Sequence, residues 1–147
     1  MQRNAGDDVI RAGPIEVRYR LQASDTAGSL TMFEFLVPAQ ARVPVPHSHD
    51  AFDETIYGLE GVLTWTLDGE AHHVGPGEVL AIPRGVVHGF DNTGETDARA
   101  LGVLTPGILG PAYFREIAEV LEQAAGGPPD LPALAEVMRR HGLTPAT

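Results

Sequence analysis

The sequence predicts an all-β domain, an antiparallel sandwich or barrel, followed by two α-helices. Two observations carry this expectation. Short apolar or alternating runs recur between Gly- and Pro-rich turns as far as Leu104, the pattern of an antiparallel sandwich or barrel. Past Thr105-Pro106-Gly107 the apolar period switches from two to about 3.6, the spacing of an amphipathic helix. The length of 147 residues suits one domain with a sizeable core.

The elements follow in order. Met1 to Gly13 is polar and charge-mixed, the composition of a flexible arm or of an edge strand that crosses to a partner subunit. Val17, Tyr19 and Leu21 alternate with Arg18 and Arg20, as in a strand with one wet face. Ser24 to Gly28 is a turn-rich break, and Leu30 to Val37 reads as a buried strand in which Met32, Phe33 and Phe35 fill core or wall a pocket. Val62–Leu67 and Glu70–Val74 flank Asp68-Gly69, a two-residue hairpin signal because both residues tolerate positive φ. Val79–Ile82, Val86–Phe90 and Ala98–Leu104 are the remaining strands, separated by turns at Gly75-Pro76-Gly77, Pro83 and Asp91-Asn92-Thr93-Gly94.

Beyond the strands, Phe114, Ile117, Ala118 and Leu121 form one helical stripe behind Pro111. Leu131, Leu134, Ala135 and Met138 form a second, with Asp130 as its cap and Gly142 as its stop. Their apolar faces must pack on something, either the barrel, a dimer partner or, as a lid, the site. The division is an arm over 1–13, a β-barrel over 14–106 and a helical extension over 107–147.

Composition excludes several function classes. A formal net charge of −10 opposes nucleic acid and anionic membrane surfaces. Neither a spanning helix nor a secretory signal is expected, since no long apolar run or charged-then-apolar leader is visible. With no cysteine, disulfides and thiolate ligands are excluded, which fits a cytoplasmic protein. The Pro-rich linker between the helices and the acidic surface disfavour a helix-turn-helix DNA reader.

The chemistry concentrates in His47-Ser48-His49, Glu54 and His88. Three imidazoles and a carboxylate suit a catalytic-type divalent metal: iron, manganese, nickel, cobalt, copper or zinc. On an extended strand residues i and i+2 share a face, so His47 and His49 can both aim inward, and Pro44 and Pro46 favour that extension. Glu54 has the opposite parity, so a bulge or turn within Asp50–Asp53 must redirect it. An HxH pair alone is more often two surface histidines. His72 and His73 are adjacent on a strand, so only one can face inward, and that one could stand behind the site. Phe52, Ile56, Trp65, His73 and Phe90 are the candidate pocket residues, while His141 suits a helix C-terminus.

Taken together the spacing is more specific. His47, His49, four residues, Glu54, six residues and Gly61 make one motif. Gly77, five residues, Pro83-x-Gly85, two residues, His88, three residues and Asn92 make the other. Both resemble the signature motifs of the cupin superfamily, with one departure: Ala41 stands where the first motif usually begins with Gly. The resemblance implies a double-stranded β-helix, the jelly-roll barrel, with His47, His49, Glu54 and His88 as ligands to one divalent transition metal per chain near one mouth. It also implies a homodimer and a small-molecule substrate. Three neutral imidazoles and one carboxylate leave a net charge near +1, which favours an enolate, carboxylate or phenolate oxygen. Vacant coordination positions mark a catalytic site. A dioxygenase resembling the quercetin-dioxygenase branch, with Glu54 as a possible base, is the favoured expectation. Alternatives are an isomerase or decarboxylase without oxygen, and a non-catalytic binding barrel whose output a partner supplies.

Overall fold

A computed structural model describes residues 9–42 and 45–146. Within it, β1 (Val9–Ala12), β2 (Ile15–Leu21), β3 (Thr31–Val37), β4 (His47–His49), β5 (Asp53–Glu60) and β6 (Leu63–Leu67) come first. They are followed by β7 (Glu70–Val74), β8 (Val79–Ile82), β9 (His88–Asp91) and β10 (Ala98–Thr105). Helices α1 (Pro111–Gln123) and α2 (Leu131–Arg140) precede a last strand, β11 (Leu143–Pro145). The strands form two antiparallel sheets, a six-stranded one in the order β1-β2-β3-β10-β5-β8 and a five-stranded one in the order β11-β4-β9-β6-β7. This is an all-β jelly-roll barrel with two C-terminal helices.

Alternation builds the core. In β3, Thr31, Phe33, Phe35 and Val37 are buried while Met32 and Leu36 are half exposed, so this strand is one-sided and Met32 is not a core residue. In β10 three of the four inward positions are small, Ala98, Ala100 and Gly102, with Leu104 the fourth, which leaves room for Trp65, Tyr19, Phe33 and Phe52 between the sheets. Phe33 sits among Tyr19, Phe35 and Phe114 at centroid distances of 5.1, 4.9 and 5.4 Å, tilted to the first and edge-to-face with the other two, a favourable arrangement for aromatic pairs. The Asp68-Gly69 hairpin has φ of 47° and 86°, the doubly positive turn that matches strand twist.

The chain ends differ from expectation. Residues 1–8 of the arm, and Pro44, lie outside the described residues. Val9–Ala12 is not an arm: it folds back through Gly13-Pro14, pairs with β2 of the same chain from Val9↔Arg18 to Ala12↔Ile15, and buries Ile10 and Ala12. A two-residue turn keeps the partner local, so pairing within the chain closes a short loop. The C-terminal extension is not wholly helical, since β11 joins the five-stranded sheet beside β4. Asp130 accepts from the Ala133 amide as the cap of α2, and α1 packs over β1. Among the described residues no helix is long and apolar enough to cross a membrane.

Candidate metal centre

Strand register brings the histidines together. His47 and His88 are directly paired across β4 and β9, and His49 follows on the same face two residues on. The ring centroids are 4.8 Å apart for His47–His88, 4.6 Å for His49–His88 and 5.3 Å for His47–His49. Glu54 arrives from the opposite sheet, because the chain bends at Asp50-Ala51 and crosses from β4 to β5. That corner supplies the change of direction its parity requires. Phe52 at the corner is fully buried and stacks on the His49 ring at 4.4 Å and 25°. Glu54 Oε1 lies 3.5 Å from His88 Nε2 and 3.9 Å from His49 Nε2.

The supporting contacts orient the rings. His88 Nδ1 donates to the Val86 carbonyl at 2.9 Å and His47 Nδ1 to the Val45 carbonyl at 3.2 Å. With Nδ1 protonated, each Nε2 keeps its lone pair for a cation, the usual orientation device of metal-binding histidines. His49 Nδ1 is buried without a hydrogen-bond partner among the described residues. Ligand atoms of the three histidines lie within 4.8 Å of one another, and a modest inward rotation of the rings would bring them to the roughly 3–3.5 Å separation of donors each about 2.1 Å from a shared ion. These three histidines could therefore hold a metal ion.

Burial tunes the same groups. His49, Glu54 and His88 are only 3%, 5% and 3% exposed. Burial, then the neighbouring His88, lowers His47 to a pKa of about 3 and His49 to about 2. Neutral imidazole is the form that binds a metal. At His88 burial acts downward, but the hydrogen bond and charge of Glu54 outweigh it and raise the pKa. A buried carboxylate calls for a positive partner, which a protonated His88 or a cation among these donors would supply.

The other motif residues are scaffold. Asn92 is buried and its Nδ2 donates to the Val37 and Thr96 carbonyls at 3.0 and 2.9 Å, tying the end of β9 to β3. Gly61 has φ of 62°, and an added Cβ would sit 2.5 Å from the Asp97 carbonyl oxygen. Ala41 in place of Gly is accommodated because the left-handed residue of that turn is Gln40, φ 67°, while the Ala41 carbonyl accepts from the Asn92 amide. Asp53 is not merely solvated: its carboxylate binds the Arg84 amide and guanidinium at 2.8 to 3.2 Å.

A cavity of about 100 Å³ opens beside the histidines. Of the candidate pocket residues, Trp65 and Phe90 line it. Phe52 and Ile56 are fully buried but lie in the core around it. His73 does not face the site. The hairpin register pairs Trp65 with His72 and Thr64 with His73, so His73 is on the outer face, where its Nδ1 meets Thr64 Oγ1 at 3.0 Å. Sequence reasoning missed the cavity walls supplied by α1, α2 and β11, namely Tyr113, Phe114, Ile117, Leu121, Met138 and Leu143. The helical stripes were visible in the sequence, but a stripe reveals which face packs and not what it covers.

Known proteins place these features. The family described as Cupin domain matches residues 33–104. The chain is similar to quercetin 2,3-dioxygenase of Bacillus subtilis (strain 168), 35% identical over 78 residues, or 53% of this chain and 23% of that one. It is also similar to protein SchB of Streptomyces halstedii, 38% identical over 63 residues, 41% of this chain and 46% of that one. The chain thus spans less than half the length of both curated relatives. Among solved structures, KdgF from Halomonas sp. superposes with a TM-score of 0.59 at 20% identity, covering 71% of this chain and 86% of that one. The two motifs, the paired jelly-roll sheets and the family match identify residues 33–104 as a cupin domain.

Proposed function

We propose that this protein is a metal-dependent dioxygenase acting on a small enol-, carboxylate- or phenolate-type substrate, with His47, His49, Glu54 and His88 as the ligands of one divalent transition metal per chain. The observation that carries the reading is the meeting of three imidazoles and one buried carboxylate at the wall of an otherwise largely apolar cavity. The likeness to a quercetin 2,3-dioxygenase supports the oxygenase branch over the matched residues.

When bound, the ion supplies Lewis acidity and vacant positions for a chelating oxyanion. The chain supplies the rest. The carbonyls of Val45 and Val86 hold two imidazoles in the binding tautomer. Phe35, Phe90, Leu104 and Leu109 exclude water from the cavity, which strengthens electrostatic contacts inside it. Glu54, buried beside the histidines, is placed to accept a proton from an enol or an acidic C–H.

Metal analysis of protein purified without chelator, together with oxygen uptake on candidate enols, tests the reading. One metal per chain and substrate-dependent oxygen consumption are expected, and His88→Ala should lose the metal while keeping the barrel. Unchanged metal content in that variant rejects the ligand set. Stoichiometric metal without oxygen uptake moves the assignment to isomerase or decarboxylase chemistry, and saturable binding without turnover moves it to a binding barrel. We further propose a homodimer: Tyr57 and Val79, cross-strand neighbours on β5 and edge strand β8, are 44% and 60% exposed on the outer face. Light scattering on the eluted protein checks it.

A further inference from the structure

We infer that Tyr113 is the ligand-recognition residue of the cavity, its phenol donating a hydrogen bond to an oxygen of the bound substrate. This rests on the metal-centre reading above and adds to it a requirement on the substrate: an acceptor oxygen directed toward α1. The cavity is walled by side chains of both sheets and both helices, and its polar groups other than the histidines and Glu54 are few. Tyr113 is one of them. It lines the cavity and is 5% exposed, and its ring contacts are with Phe114 and His141, with no hydrogen bond of its hydroxyl found among the described residues. A phenol that makes no bond within the described residues and borders a cavity with few other polar groups is available to bond a ligand that enters it. The other deeply buried phenol makes the contrast. Tyr19 Oη donates to the Leu109 carbonyl at 3.0 Å and does not line the cavity.

The phenol is held in place for this role. Tyr19 fixes Leu109 just before the helix, and Pro111 starts α1. The Tyr113 ring packs edge-on to Phe114 at 4.9 Å and to His141 at 5.6 Å. His141, at the end of α2, bonds through Nε2 to Glu116 of α1 at 2.7 Å, and Arg140 bonds the other oxygen of that carboxylate at 2.5 Å. The two helices are thereby clamped one turn from Tyr113. Burial, and after it the nearby Glu54 charge, push the Tyr113 pKa up, so the hydroxyl keeps its proton and acts as a donor. A neutral donor in a dry cavity distinguishes ligands that carry an acceptor there from isosteres that lack one, because the mismatch leaves a buried group unpaired.

The test compares wild type and Tyr113→Phe, both loaded with Co(II) and titrated with acetylacetone as a small enolate probe. Cobalt content, the visible spectrum and thermal stability are followed. The expected result is one Co(II) in each protein, little change in Tm, and probe binding weakened about tenfold or more in the variant, the value of a hydrogen bond to a charged acceptor. Equal probe affinity in the two cobalt-loaded proteins overturns the role of Tyr113 and leaves the metal centre standing. A lowered Tm with equal probe affinity makes Tyr113 a packing residue and also overturns it. Failure of wild type to take up cobalt removes the metal-centre reading and this inference together.

Discussion

Gly102→Ala is the most direct way to ask whether the Glu54 carboxylate is held where the histidines need it. Gly102 faces inward on β10 beneath the site, and a Cβ there would lie 3.1 Å from Phe33 Cε2 and 3.3 Å from Glu54 Oε2. Comfortable carbon contacts begin near 3.5 Å, so one neighbour must yield. Phe33 has little freedom, since its ring is packed by Tyr19, Phe35 and Phe114. The Phe33 contact therefore remains as strain, while the carboxylate, the end of a longer side chain, shifts to relieve its own contact. Overpacking of this kind costs about 1–3 kcal/mol, which corresponds to a fall in Tm of about 2–12 °C for a chain of this size. Displacing a ligand or its support lowers metal affinity about 10- to 100-fold. Differential scanning fluorimetry of the apo-protein and competitive Co(II) titration measure the two effects separately. Wild-type stability together with wild-type cobalt affinity would refute the claim that β10 fixes the carboxylate.

Asn92→Ala should separate scaffold from site. Leaving the Val37 and Thr96 carbonyls without their Nδ2 donor costs about 1–3 kcal/mol for each buried group, read as a lower urea midpoint with metal stoichiometry retained; loss of metal at unchanged stability would contradict it. Acid should destabilise the metal-free protein earlier than carboxylate titration alone allows. His47 and His49 have folded pKa values of about 3 and 2, below the ordinary 6.5, so the unfolded chain binds more protons between those values. The stability they contribute is present above pH 6.5 and is lost as pH falls toward 3 and 2, by about 1.4 kcal/mol per pH unit for each group over most of that window. His88, whose folded pKa is raised, acts oppositely: its contribution is full below pH 6.5 and declines as pH rises through the folded value. The net expectation is a urea midpoint that drops from pH 6.5 to 5, and a flat midpoint over that range would show that the two imidazoles are not buried as described.

Much of this fold is written in local patterns, and the exceptions have physical causes. The hairpin at Asp68-Gly69 and the caps at Pro111 and Asp130 were legible because each is decided by one or two residues. Strand β5 was not, since its inward positions carry Glu54, Ile56 and Gly58 while Tyr57 and Leu59 face out. That is an inverted pattern, set by a site and by an exposed apolar face. Strand β11 was invisible because three residues ending in Pro145 have no period to read. The side of His73 was decidable after all. A two-residue turn fixes the register Trp65↔His72, and once the large indole is assigned to the core, His73 must point outward. The three histidines that could hold a metal ion were legible as a spacing, whereas Tyr113 was not. Its stripe on α1 is an ordinary apolar one, and only the tertiary placement of the helix makes Tyr113 part of the cavity wall.

The pairing of β4 with β11 has a consequence for how the protein is made. The strand that carries His47 and His49 is bordered by residues translated long after it; Thr144 and Asp50, which bond across that edge, are 94 positions apart. At ribosomal speeds of about 5–20 residues per second, the histidine strand waits roughly 5–20 s for its outer neighbour. During that interval it presents open backbone groups, and distant pairings of this kind are the slow ones to close. A site that draws His47 and His49 from this strand is therefore completed late in synthesis, and any cation those imidazoles hold would meet a finished edge only once β11 has paired.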